Sequence, residues 1–251
     1  YATMVVELVA AIAVFGLKRG IAAEMVRGNF SEVETLADCL LLGLLLALFG
    51  GGTLFLLPGL MLPAGTPLGD ERWLAVIVPA IALSDIALAG LAFRHRIDFT
   101  VRARSVIEPW TLILAATLLS FTAFHADGLL IAYGLSLLLA SAASLHYAVR
   151  IFGWPAGWRP RPARLFRIAL RNLPLAGADL VEWATRRLDI FLLGRFAGAD
   201  IIGIYYVAQQ VATLAGKIRT SFDPILSPML ASAIEAKRPE EAALHIRQVG
   251  F

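Results

Sequence analysis

LPLAGADLVEWATRRLDIFLLGRFAGADIIGIYYVAQQVATLAGKIRTSFDPILSP, residues Leu173–Pro228, is the stretch whose reading decides the fold. Two apolar segments, Leu173–Phe196 and Ile201–Leu226, flank a short Gly-Ala-Asp turn. Each is long enough to cross about 30 Å of hydrocarbon as a helix. Yet both carry ionisable residues. On a helix, Asp179, Glu182, Arg186 and Asp189 fall in one sector, and Arg187 flanks it. A charge at the bilayer centre costs roughly 2.5–3.5 kcal/mol on insertion scales, so such groups face protein or a water-filled cavity rather than lipid. Two readings of this stripe stand side by side: internal ion pairing that settles helix packing, or the lining of a functional chamber.

Working outward, the whole chain has the same character. Of its 251 residues 59% are hydrophobic and 16% charged, whereas soluble domains run near 45–50% and about 25%. The apolar residues come in blocks of about twenty, the spanning length for a helix; barrel strands are near ten residues and alternate. The fold class is therefore all-α, a polytopic transmembrane helical bundle. A single cysteine, Cys39, excludes an internal disulfide and a cysteine-based metal site. The net charge of +3 is not a nucleic-acid signature, because the basic residues are confined to certain connections, where they orient the chain beside anionic lipid. The chain opens on Tyr1 inside an apolar run, which predicts a longer protein with further helices on both sides.

Seven spans are predicted. The first is Tyr1–Leu17, closed by Lys18 and Arg19; the second, Ala37–Leu57, contains Gly50, Gly51 and Gly52, which permit close helix approach or a bend. The third, Trp73–Phe93, follows a Pro/Gly loop, and Arg94–Arg104 is a basic loop. The fourth is Ile107–Phe124, the fifth Leu129–Val149, with a short turn at His125–Gly128 between them. Gly153–Pro162 (GWPAGWRPRP) is a linker, and Ala163–Asn172 places Arg164, Arg167 and Arg171 on one face, as in a short helix lying in the membrane surface. The sixth and seventh spans are the opening pair, with Pro224 and Pro228 ending or hinging the last; a polar tail, Ala233–Phe251, follows. Lys and Arg concentrate in the first, third, fifth and seventh connections, which the positive-inside rule places in the cytoplasm. Trp73, Trp110, Trp154 and Trp158 lie at segment ends, where tryptophans anchor helices at the interface. Glu7 and Asp85 are lone acids near mid-span: each is either functional or paired with an arginine of another helix. No Walker loop, HExxH or GxSxG motif is present, and the histidines lack metal-ligand spacing, so neither catalysis, a metal nor a cofactor is indicated.

Three passages carry a resemblance. Leu173-Pro174 through Arg187-Leu188-Asp189-Ile190 and on to Gly203-Ile204-Tyr205-Tyr206-Val207-Ala208 resembles the helix pair that opens the second half of polysaccharide and O-antigen flippases. Ser221-Phe222-Asp223-Pro224-Ile225-Leu226-Ser227-Pro228 is similar to the end of that pair, and Tyr1-Ala2 through Phe15-Gly16-Leu17-Lys18-Arg19 to the second helix of the first half. These flippases belong to the superfamily of multidrug, oligosaccharidyl-lipid and polysaccharide exporters, which have two six-helix lobes around a cavity. The resemblance implies that residues 1–150 are part of the first lobe, 151–172 the cytoplasmic linker and 173–251 the start of the second lobe. It implies a multi-pass protein of the bacterial inner membrane that flips lipid-linked oligosaccharide, alongside a polysaccharide polymerase and other assembly proteins, with no enzymatic activity and no nucleic-acid partner. The candidate substrate-binding residues are then Arg186, Arg187, Glu182, Asp189, Lys217 and Gln210. The guanidinium forks suit a pyrophosphate best. Glu7, Asp85 and Asp179 are candidates for ion coupling. A cation-coupled drug exporter on the same fold is the nearest rival, in which the acids matter more than the arginines. A membrane-embedded glycan-processing enzyme is the other, and it would call for a large polar outer loop.

Overall fold

Ser31 starts the longest apolar helix of the first half: its hydroxyl accepts from the Glu34 N–H at 3.3 Å, and Glu32 and Glu34 sit in the first turn, at the positive end of the helix dipole. This is α3, Glu32–Leu56. The computed structural model describes residues 1–27, 30–62, 70–122 and 128–220, omitting the side chains of 70, 71, 199 and 214–220. Among the described residues there is no strand. The expected loop and turn at residues 63–69 and 123–127, the prolines at 224 and 228 and the polar tail lie outside the described residues, as do the side chains of Lys217 and Arg219.

Before α3 come α1, Ala2–Val14, and α2, Leu17–Arg27. The expected first span is broken here: Phe15 and Gly16 both take left-handed backbone angles, with φ of 52° and 72°, so the helical hydrogen-bond ladder stops. The break lies against the backbone of another helix, since a Cβ on Gly16 would sit 2.5 Å from the amide nitrogen of Ala176. After α3, two 3₁₀ turns, Pro58–Met61 and Asp70–Val76, lead into α4, Ile77–Phe93. The glycine triplet leaves α3 unbroken. Gly51 serves close approach, because the carbonyl of Ala75 lies within 2.9 Å of where its Cβ would be, while Gly52 faces open space.

The basic stretch after α4 is a tight turn, not a loop. His95 adopts φ 57°, and α5, Ile97–Val101, begins at once. In that turn Arg96 bonds Asp98 through both nitrogens, at 3.0 and 3.1 Å, which holds the Asp98 carboxyl below the usual carboxylate range. A π-helical stretch, Arg102–Ile107, joins α5 to α6, Glu108–Ser120. Helix α7, Gly128–Phe152, packs on α4 and α6 through an unbroken run of small residues at every fourth position: Ala132, Ser136, Ala140, Ser144 and Ala148 are all buried. Small residues let helix backbones approach closely where no hydrophobic effect drives them together. Ser84 on α4 and Ser144 on α7, both buried, share a 3.0 Å hydrogen bond across this seam.

The linker turns at Gly153 and Gly157, both with positive φ, and then α8 runs from Pro162 to Phe196 without interruption. The expected surface helix and sixth span are one helix of 35 residues. Pro174 sits inside it, and nearby Asn172, itself buried, donates its side-chain amide to the carbonyl of Ile168 at 2.9 Å. Residues 1–198 form one unit, with Val6, Leu17, Ile21, Cys39, Val78 and Leu91 at the centre of its apolar core. The second unit begins at Ala199, and its described part is α9, Ala199–Thr220.

Three helices are long and apolar enough to cross a membrane on length and composition alone: Glu32–Leu56, Arg72–Phe93 and Gly128–Phe152. The other predicted spans within the first unit are interrupted or charged. The first is split at Phe15–Gly16, the fourth follows the π-helical stretch with a helix of only 13 residues, Glu108–Ser120, and the sixth carries the stripe of ionisable residues.

Candidate functional site

The helix break at Phe15–Gly16 decides the site. It redirects the chain so that Lys18 and Arg19 on α2 come to lie across from Asp179 and Glu182, a turn or two beyond the point where Gly16 touches α8. Beside these residues lies a cavity of about 550 Å³. Helix α1 contributes Glu7, Ala11 and Val14 to its wall, α2 contributes Lys18 and Arg19, and α4 contributes Asp85. From α8 come Asp179, Glu182, Trp183, Arg186 and Arg187. The stripe predicted from helical periodicity thus faces an opening.

The charges are balanced, four cations against four carboxylates, and most pairs join different helices. Arg19 Nε lies 2.7 Å from Asp179 Oδ1, and Arg19 also bonds Glu182. Glu182 holds Arg186 on the next turn of α8 at 2.8 Å. Arg187 reaches back to Glu7 on α1 at 3.4 Å, and the Tyr133 hydroxyl of α7 donates to the other Glu7 oxygen at 3.3 Å. Asp85 is paired with Arg104 from the π-helical stretch, which holds Glu108 at 2.9 Å as well. Both lone acids therefore have an arginine from another helix. π-Helical turns recur at functional sites, and here one brings an arginine to a cavity-lining carboxylate.

Of the candidate residues, Glu7, Asp85, Asp179, Glu182, Arg186 and Arg187 share this one cavity. Asp189 does not line it: its Oδ1 accepts from the Ile190 N–H at 2.8 Å. Asp189 keeps the phase of the stripe, but three residues past Arg186 it lies beyond the lining positions of α8. Gln210 lies on α9, in the second unit, and the side chain of Lys217 is outside the described residues. Arg19, Arg104 and Tyr133 went unpredicted as site members. Lys18 and Arg19 read as a span end, and only the helix break shows otherwise. Trp183 stacks edge-on against Phe191 at 6.2 Å, and its indole N–H is buried without an acceptor among the described residues. Among those residues no group of three His, Cys, Asp or Glu side chains is placed to hold a metal ion.

Trp158 is another correction. Trp73, Trp110 and Trp154 are exposed at segment ends, as interfacial anchors are, but the Trp158 indole turns inward and donates to Asp38 of α3 at 2.9 Å.

A helical bundle with spanning-length apolar helices and a charged internal chamber defines a membrane protein. Residues 74–246 match the polysaccharide biosynthesis protein family; with well over half of its length matched, the chain belongs to that family and has its role in polysaccharide biosynthesis. No curated protein and no solved structure matches it.

Proposed function

We propose that this protein exports lipid-linked oligosaccharide, flipping it across the bacterial inner membrane by alternating access between two lobes. One observation carries the reading: the ionisable face of α8 borders a cavity of about 550 Å³. On this reading residues 1–150 belong to the first lobe, 151–172 link the lobes and 173–251 begin the second. A polymerase that consumes the flipped product is the expected partner, and no catalytic step is assigned to the chain.

Arg186 and Arg187 are the groups that take the pyrophosphate. The Arg186 side chain is 73% exposed and is held by Glu182 of its own helix. Such an i,i+4 pair stabilises by only about 0.3–0.5 kcal/mol, whereas a guanidinium engages phosphate oxygens through two charge-assisted bonds. An incoming phosphate therefore displaces Glu182 at little cost. Trp183, on the same wall, offers a flat apolar face to sugar. Glu7 and Asp179 each neutralise an arginine across a helix boundary, so a proton or cation arriving at either carboxylate releases that arginine. This is how ion entry couples to substrate binding.

The equal number of carboxylates favours one rival, a cation-coupled exporter of small cations. The full-length Arg186→Ala/Arg187→Ala transporter, assayed for glycan translocation after its insertion is verified, distinguishes the two. Translocation falls tenfold or more if the arginines hold the substrate. Unchanged translocation removes them from the site. Inhibition by small cationic drugs, with sensitivity to Glu7→Gln alone, would transfer the case to the rival.

A further inference from the structure

A second polar pocket lies at the junction of α2, α3 and α8, away from the large cavity. It encloses about 140 Å³ and is lined by Glu24, Arg27, Phe30, Arg164, Arg167 and Arg171. Four guanidinium groups therefore surround one carboxylate. We propose that this pocket binds a single phosphoryl group, carried by an anionic lipid headgroup or by a soluble phosphorylated ligand.

Three features argue for a built site instead of a solvated basic face. First, two of the arginines are held by buried acids, Arg164 from outside the pocket and Arg171 by the lining Glu24. Arg164 Nη1 lies 2.7 Å from Asp38 Oδ2, whose side chain is 2% exposed, and Arg164 Nη2 donates to the Thr35 hydroxyl at 2.8 Å. Arg171 sits 3.4 Å from Glu24, which is also buried. Second, the Phe30 ring orients the Arg164 guanidinium, whose carbon lies 3.9 Å from the ring centre. A guanidinium held this way loses little freedom when it takes up an oxyanion. Third, Arg27 and Arg167 have no acidic partner among the described residues, so the pocket keeps uncompensated positive charge.

The local sequence supports the same conclusion. Helix α8 has no acid in its first turn, and an arginine there opposes the positive end of the helix dipole. Asp38 on α3 offsets part of that repulsion at Arg164. An anion bound between Arg27 and Arg167 offsets the rest. A cavity of this size admits one tetrahedral oxyanion with a few waters, and it is too small for the glycan proposed for the large cavity.

The test uses the full-length protein with two probes: inorganic phosphate in detergent, and nanodiscs of phosphatidylglycerol against phosphatidylcholine. Binding is read as a saturable rise in unfolding temperature. The variants are Arg27→Gln and Arg167→Gln, with Arg159→Gln in the linker removing equal charge outside the pocket. We expect saturable stabilisation that weakens roughly tenfold or more in either pocket variant, as loss of a charge-assisted hydrogen bond implies, and is unchanged in Arg159→Gln. Response to phosphatidylglycerol alone identifies a lipid headgroup; response to inorganic phosphate identifies a soluble ligand. Absence of both responses overturns the proposal, as does equal weakening by all three variants, which would mean diffuse charge attraction.

Discussion

Asp38 shows how a single residue can be unreadable in sequence and central in structure. It sits one residue before the only cysteine, within an apolar segment, and periodicity assigns it no role. In the fold it is buried and held by Arg164 and the Trp158 indole, while its Oδ2 makes no hydrogen bond along an N–H axis. Burying a charge is tolerated only when it is paired, and removing one partner leaves the other uncompensated. Arg164→Met should therefore destabilise the protein by about 3–5 kcal/mol. The double variant Asp38→Leu/Arg164→Met should recover much of that loss, because it also removes the stranded carboxylate. Unfolding titrations in detergent measure both. A cost below about 1 kcal/mol for the single variant would show that the pair is solvated and not buried.

At the scale of elements, glycines separate into those that are needed and those that are not. Gly16 combines a left-handed backbone with direct contact against α8, and a methyl group there would meet the Leu175 Cβ at 2.7 Å and the Asn172 carbonyl at 2.8 Å. Gly16→Ala should cost roughly 2–5 kcal/mol, the sum of backbone strain and overpacking. Gly52 lies within α3, near its C-terminal end, with nothing near it, so Gly52→Ala should gain roughly 0.5–1 kcal/mol. Thermal unfolding of the two variants should move in opposite directions, and a shared direction would refute the packing described for the break. The small-residue run on α7 was open to sequence reading, because its spacing of four is plain from Ala132 to Ala148. What the spacing lacks is the partner: only the fold shows that the run meets α4 at Ser84.

At the scale of the molecule, transport of the proposed kind needs water at the face of α8. Ala11 lies on the cavity wall without being fully buried, whereas Leu118 on α6 is an exposed apolar residue on a surface suited to lipid. Cys39 is buried and supplies no background reactivity. A thiol reacts as the thiolate, which forms in water and not in hydrocarbon. A water-soluble maleimide should therefore label Ala11→Cys and spare Leu118→Cys in membranes. Equal protection of both positions would mean that the chamber is dry, and the transport reading would lose its physical basis.

What the sequence determined by itself is local. Block lengths and polarity set the helical class, and a period of 3.6 residues placed Asp179, Glu182 and Arg186 on one face of one helix. What only the tertiary structure decided is which groups meet between helices. Arg19 on Asp179, Arg187 on Glu7, Arg104 on Asp85 and Arg164 on Asp38 each depend on where one helix lies along and around another. That register follows from the break at Phe15–Gly16, the π-helical stretch and the close approaches at small residues. It is also why Asp189, in phase with the stripe, lies beyond the cavity. Helical periodicity constrains rotation about a single axis, whereas contact across axes is set by packing that no local pattern encodes.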